Sequence, residues 1–112
     1  MEMKTFLEQQ QALQKHLGYP MGSDMEGTIK ENILALIVEA TEVLNEINWK
    51  PWKKEKRGID RDALLTELVD VLQFWANAVN AAGFQMIDIH ISYQAKLGEC
   101  YARASRGETG RG

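Results

Sequence analysis

Cysteine, histidine and long apolar runs are scarce in this chain of 112 residues, and each scarcity excludes a class of protein. The single cysteine, Cys100, excludes an internal disulfide framework and is typical of a reducing compartment. Neither His16 nor His90 has a glutamate three residues before it, which argues against a carboxylate-bridged di-iron bundle. The longest apolar run, residues 33–38, is too short to cross a bilayer, and the first residues contain no apolar segment of a signal peptide. We therefore expect a cytoplasmic protein with no membrane segment.

Basic charge is also lacking. The formal net charge of −3 argues against a nucleic-acid partner, which needs a basic surface. The length predicts one domain, and chains this short often complete their core by oligomerising. We predict a single domain over residues 1–103 and a flexible Gly/Arg-rich tail over residues 104–112.

Apolar periodicity and stop signals predict four helices, over residues 5–17, 28–48, 60–82 and 84–103. Capping-box patterns favour starts at Thr5 and Thr28, and Asp60 is the expected N-cap of the third helix. A basic, aromatic loop is predicted over residues 49–59, where Pro51 and Gly58 disfavour a helix.

The fourth segment also alternates like a strand, at Ile87, Ile89, Ile91 and Tyr93. A lone strand would have no partner, so a helix is favoured. The centre of the second helix, residues 33–38, is apolar on all sides, which predicts that it is buried all round.

Two pairs of acidic residues stand in the most apolar helices. Glu39 and Glu42 form one pair and Glu67 and Asp70 the other, each three residues apart and so on one helical face, and Glu46 extends the first stripe by a turn. Any one of these acids, taken alone, would ordinarily be a solvated residue on a helix surface. Four acids converging within an apolar bundle would repel one another unless cations neutralised them, and all-oxygen ligands suit Mg²⁺, with Mn²⁺ as a substitute.

The segments around these pairs resemble the metal motifs of a known superfamily. LALIVEATEVLNE, residues 34–46, and ELVDVLQF, residues 67–74, are similar to the two motifs of the all-α NTP pyrophosphohydrolases, which include dimeric dUTPases, MazG proteins and dCTP pyrophosphatases. The resemblance implies an all-α four-helix bundle completed by dimerisation, possibly as a dimer of dimers. It also implies that the four paired acids are catalytic and hold Mg²⁺, with Glu46 as a further metal contact.

Three further segments resemble the dimeric dUTPase branch. FLEQQQAL, residues 6–13, is similar to its pyrimidine-reading motif, with Gln10 as the best alignment and Gln14 as the alternative. WKPWK, residues 49–53, resembles its Trp/Lys-rich loop. YQAKLGECYAR, residues 93–103, resembles its closing motif, except that Cys100 stands at the Asn position.

Phe74 and Asn77 continue the stripe of Asp70, where a base could stack and form hydrogen bonds. The resemblance makes Lys53, Lys96 and Arg103 the expected contacts of the phosphates. The substrate-binding residues predicted in this way are Gln10, Trp49, Trp52, Lys53, Phe74, Asn77, Tyr93, Lys96 and Arg103.

The resulting prediction is an Mg²⁺-dependent homodimer or homotetramer that hydrolyses a pyrimidine dNTP, with dUTP as the expected substrate, to the monophosphate and pyrophosphate. Two alternatives stay open: a dCTP-preferring or broad MazG-like pyrophosphohydrolase, and a catalytically silent helical bundle that binds a nucleotide or a partner protein. The resemblance also implies that one of the glutamates orients or deprotonates the attacking water.

Overall fold

The computed structural model describes residues 1–18 and 24–107, and these residues contain helices and no strand. The helices are α1 (Met3–Leu17), α2 (Met25–Asn45), α3 (Arg61–Ala81) and α4 (Met86–Ser105). The all-α prediction is confirmed, including the choice of a helix over a strand for the last segment. Residues 108–112 of the predicted tail lie outside the described residues, and α4 continues two residues past the predicted boundary at Arg103.

The first two helices begin earlier than predicted, and neither capping box forms. Helix α1 begins at Met3, and its N-cap residue Glu2 makes no side-chain cap. Helix α2 begins at Met25, because the carboxylate of Asp24 accepts the N–H of Gly27 at 3.0 Å. Thr28 is already inside the helix, with its N–H bonded to the carbonyl of Asp24. An aspartate available one turn earlier satisfies the free N–H groups first.

The predicted boundaries of α3 are confirmed. The carboxylate of Asp60 accepts the N–H of Ala63 at 3.1 Å, which caps the first turn. Gly83 follows the helix with φ of 79°, a left-handed conformation that a residue with a Cβ rarely adopts. Asp88 then starts α4 by accepting the N–H of Gln85 at 2.8 Å.

The loop between α2 and α3 is closed by one side chain. The amide of Asn48 donates to the carbonyl of Arg57 at 2.9 Å and accepts the N–H of Arg57 at 3.2 Å. Within this loop the rings of Trp49 and Trp52 meet edge to face, with centroids 5.6 Å apart. The loop is non-helical, as predicted, although α2 ends at Asn45, three residues before the predicted end.

The helices assemble around α3. Helix α2 makes the most extensive contact with α3, and α1 contacts both α3 and α4. The buried core joins Leu7 of α1 to Ala76 and Val79 of α3, and Met86 and Ile89 of α4 pack against it. No helix within residues 1–18 and 24–107 is long and apolar enough to cross a membrane.

The prediction that residues 33–38 are buried all round is wrong for the single chain. Leu34, Ile37 and Val38 are each more than half exposed, and Leu65 and Leu68 of α3 are 62% and 47% exposed. The radius of gyration is 17.4 Å, against about 13 Å for a compact chain of this length. One copy of the chain therefore leaves a large apolar face of α2 and α3 uncovered.

Candidate functional site

Three carboxylates converge between α2 and α3. One oxygen from each of Glu39, Glu67 and Asp70 lies within 4.8 Å of the other two, and all three side chains are half-buried. The three-residue spacing of Glu67 and Asp70 places both on the face of α3 that packs along α2. The packing of α2 along α3 thus brings Glu39, from the first predicted pair, to both acids of the second pair.

The group is electrostatically strained. Partial burial raises the pKa of Glu67 above its ordinary value, and repulsion by the carboxylates of Asp70, Glu39, Glu42 and Glu46 raises it further. Glu42 is exposed and Glu46 half-buried, and neither belongs to the converging group. Both add negative potential at Glu67 without supplying an oxygen to the cluster.

This donor set fits a hard divalent cation. Magnesium takes oxygen ligands at about 2.0–2.1 Å, so two oxygens on opposite sides of one ion lie about 4 Å apart. The oxygens of Glu39, Glu67 and Asp70 lie within 4.8 Å of one another, so small side-chain movements would bring them onto one ion. Among the described residues, this group contains carboxylates and no histidine or cysteine, which favours Mg²⁺ or Mn²⁺ over zinc.

A pocket of about 480 Å³ opens beside these carboxylates, within the range of small-molecule sites. Glu39 and Asp70 lie at its wall, and the buried amides of Gln10 and Asn77 lie at its floor. Its other lining residues are Leu13, Gln14, Leu17, Thr28, Glu31, Asn32, Ala35, Gln73 and Phe74. The structure therefore brings together the predicted residues Gln10, Phe74 and Asn77 with two of the predicted metal ligands.

Side-chain amides form a continuous hydrogen-bonded chain along this floor. The amide of Gln73 donates to Gln10 Oε1 at 3.2 Å, and Gln10 Nε2 donates to Asn77 Oδ1 at 3.0 Å. Asn77 Nδ2 donates to Asn32 Oδ1 at 3.0 Å, and Asn32 Nδ2 donates to the carbonyl of Thr28 at 2.8 Å. Within this chain of hydrogen bonds, Gln10, Asn77 and Asn32 each use one N–H and one acceptor lone pair, which leaves one of each that a planar heterocycle can use.

The other predicted substrate residues do not line this pocket in the single chain. Trp49 and Lys53 line a separate pocket of similar volume at the loop after α2, and Trp52 is exposed in the same loop. Tyr93 and Lys96 are exposed on α4. Arg103 forms an ion pair with Glu99 on the same helix.

Sequence reasoning missed Asn32 and Gln73. Asn32 lies seven residues before Glu39, and Gln73 lies three residues after Asp70, so both share the faces of the metal-site acids. This helical spacing was the available signal for both. It was weak, because a single amide on a helix is usually a solvated residue.

Comparison with protein families gives one finding. A family model described as dUTPase matches residues 2–106, which include all four helices and the carboxylate cluster. Searches of curated proteins and of solved structures gave no match. Because the family model covers nearly the whole chain, this four-helix protein belongs to the all-helical dUTPase family.

Proposed function

We propose that this protein is a divalent-metal-dependent pyrophosphohydrolase that converts a pyrimidine deoxynucleoside triphosphate, with dUTP as the preferred substrate, to the monophosphate and pyrophosphate. Membership of the dUTPase family supports a dUTP diphosphatase-like activity at the level of the family. The observation that carries the finer proposal is a single pocket with converging carboxylates at its wall and buried amides at its floor. Such a pocket suits a ligand with a phosphate tail at one end and a polar base at the other.

The division of labour follows from chemistry. Bound by Glu39, Glu67 and Asp70, Mg²⁺ would neutralise charge on the phosphates and lower the pKa of an attacking water. Gln10 and Asn77 would hydrogen-bond the edge of the base, and the ring of Phe74, on the wall of the same pocket, would pack against its face. Glu42 and Glu46 would strengthen cation binding by their negative potential.

The proposal includes a second copy of the chain. The exposed apolar stripe of α2 contains Leu34, Ile37 and Val38, and α3 carries a matching stripe that includes Leu65 and Leu68. Both stripes follow the i, i+3, i+4 spacing of helix-packing surfaces. Monomeric proteins rarely leave apolar patches of this size uncovered. A symmetric dimer across these helices would bury both stripes and complete the bundle.

Pyrophosphate release tests the activity. The purified chain is incubated with Mg²⁺ and a panel that includes dUTP, dCTP, dTTP and the ribonucleoside triphosphates. We expect release from dUTP to exceed release from the others, and we expect Asp70→Asn to lower kcat/KM by about a thousandfold or more, since a metal site supplies several kcal/mol. Glu26→Gln, an acid of α2 outside the pocket, is the matched control.

Each alternative gives a different result in this assay. A preference for dCTP, or a broad profile, would retain the metal chemistry and refute the choice of dUTP. Release by Asp70→Asn at the rate of the parent would refute the metal site. No release from any nucleotide would refute the enzyme and favour a binding bundle.

A further inference from the structure

Two of the seven buried residues in residues 1–18 and 24–107 are amides, and both belong to the hydrogen-bonded chain. Gln10 is 5% exposed and Asn77 is 2% exposed, while Leu7, Ala76 and Val79 form the apolar core beside them. Burying a neutral amide is unfavourable unless its polar atoms are paired. The fold pairs them through Asn32 and Gln73 at the two sides, which ties their orientation to residues outside the core.

The chain of hydrogen bonds runs in one direction, and the carbonyl oxygen of Thr28 fixes that direction. An amide side chain turned by 180° exchanges its donor and acceptor, so an isolated amide can present either to a ligand. The carbonyl of Thr28 can only accept, so Asn32 must direct Nδ2 towards it and Oδ1 towards Asn77. Asn77 must then direct Oδ1 towards Gln10. The backbone of α2 thereby determines the orientation of both buried amides.

This orientation matters because uracil and cytosine also differ by an exchange of hydrogen-bond donor and acceptor. Position 4 is an acceptor oxygen in uracil and a donor amino group in cytosine, and position 3 is correspondingly a donor or an acceptor. An amide that could turn freely would bind either base. An amide held in one orientation pairs with one base and leaves unpaired polar groups against the other, which is how sites reject close analogues strongly.

We propose that Asn32 is a specificity-determining positioning residue: by donating to the Thr28 carbonyl it locks Asn77 and Gln10 in the orientation that distinguishes uracil from cytosine. The inference rests on the proposed function, because it takes the pocket to bind a pyrimidine. Asn32 acts on the base through Asn77. Its removal therefore alters the choice of base, and it leaves the carboxylate cluster of Glu39, Glu67 and Asp70 intact.

The test compares base selectivity in Asn32→Ala and the parent. We expect the ratio of kcat/KM for dUTP to that for dCTP to fall at least about tenfold, because the freed Asn77 can turn to suit either base. The matched control is Asn80→Ala. Asn80 is also a half-buried asparagine whose Nδ2 donates to a backbone carbonyl, that of Leu7 at 3.0 Å, but it lies outside the pocket. Its loss should leave the ratio unchanged.

A second variant separates orientation from mere packing. Asn32→Asp loses the hydrogen bond to the Thr28 carbonyl, but both carboxylate oxygens can only accept, so the side chain presents an acceptor to Asn77 Nδ2 in either orientation. The orientation of Asn77 and Gln10 should therefore persist, and the ratio should stay within about threefold of the parent. The added negative charge should raise KM for both nucleotides alike. Equal losses for dUTP and dCTP in Asn32→Ala, or a ratio lost equally in Asn32→Asp, would overturn the proposal.

A binding measurement keeps this inference separate from the proposed activity. The dissociation constants of dUMP and dCMP are measured by calorimetry for the parent, Asn32→Ala and Asn80→Ala. A parent that hydrolyses nothing would refute the enzyme, but a dUMP preference lost only in Asn32→Ala would still support the orienting role. A parent that binds dUMP and dCMP equally would refute the orienting role whatever its activity.

Discussion

Replacing Leu34 by aspartate should dissociate the proposed dimer while leaving each chain helical. Leu34 is 56% exposed near the middle of α2, on the same face as Ile37 and Val38. Its side chain lies outside the core of Leu7, Ala76 and Val79, and aspartate on an exposed helical face costs only about 0.7 kcal/mol in helix propensity. The substitution therefore acts on the surface between copies more than on the fold of one chain.

The free energy that the interface would contribute can be worked from the exposed fractions of its apolar side chains. Full burial of a Leu, Ile or Val side chain contributes about 1.5–3 kcal/mol, so covering the remaining half of each contributes about 1 kcal/mol. Six such side chains on α2 and α3 are between 43% and 62% exposed: Leu34, Ile37, Val38, Leu65, Leu68 and Val69. Counted in both copies, they offer about 12 kcal/mol, which is comparable with the cost of association, about 4–15 kcal/mol.

Leu34→Asp removes its share and adds a carboxylate that has no partner in the interface. We estimate at least about 2 kcal/mol per copy, and a symmetric interface contains the substitution twice. The dissociation constant should therefore rise by about a thousandfold, which corresponds to about 4 kcal/mol. Loss of the dimer should also lower the melting temperature, because so little apolar surface is buried within one chain.

Sedimentation velocity over a range of protein concentrations measures the dissociation constant. Ile59→Asp is the matched control, because Ile59 is 47% exposed but lies in the loop before α3, outside the two stripes. We expect the control to remain dimeric at concentrations where Leu34→Asp is monomeric. A parent chain that is monomeric at micromolar concentration and unfolds cooperatively would refute the reasoning, as would a dimeric Leu34→Asp.

Three further predictions concern single side chains. The pKa of Glu67 is raised in the folded chain, so the metal-free fold should lose stability as the pH rises above 4.5, the ordinary pKa of a glutamate. Glu67→Gln should therefore raise the melting temperature at pH 7 and abolish the stabilisation by Mn²⁺. A lower melting temperature for the metal-free variant would contradict this. Asp60→Ala removes the N-cap of α3 and should cost about 1 kcal/mol in urea denaturation, whereas the neighbouring Asp62→Ala, a residue whose side chain caps nothing in the described structure, should cost less. Asn48→Ala opens the loop closed by Arg57 and should speed tryptic cleavage after the lysines there and shift the Trp49 fluorescence, and an unchanged cleavage rate would show that the loop is held by other contacts.

The parts of the fold that depend on local sequence were predictable. Asp60 and Gly83 mark the ends of α3 with a cap and a left-handed residue, and both signals act within one helical turn. The predicted start of α2 was wrong for an equally local reason. Thr28 has the pattern of an N-cap, but Asp24 stands one turn earlier and binds the N–H of Gly27 first.

In the candidate site, too, local spacing predicts some features and the packing of the helices decides the others. The spacing of Glu67 and Asp70 predicts a shared face, and of the two predicted acids of α2 the structure brings Glu39 to them, because α2 packs along α3. No spacing rule reveals which acid of the first pair faces α3. Glu39 and Glu42 differ by 300° around the helix, about one-sixth of a turn short of a full circle, so the packing angle decides between them.

The exposed stripe next to Glu39 explains how such a repulsive cluster is tolerated. Val38 and Glu39 are adjacent, yet Val38 is 57% exposed on the apolar face while Glu39 is half-buried towards α3. Each of these two helices thus carries converging acids and exposed apolar side chains at neighbouring positions. Repulsion at Glu67 weakens the metal-free fold, and burial of the apolar side in a dimer would offset it. A bound cation would relieve the same repulsion, so under this proposal the metal and the second copy would stabilise the same pair of helices.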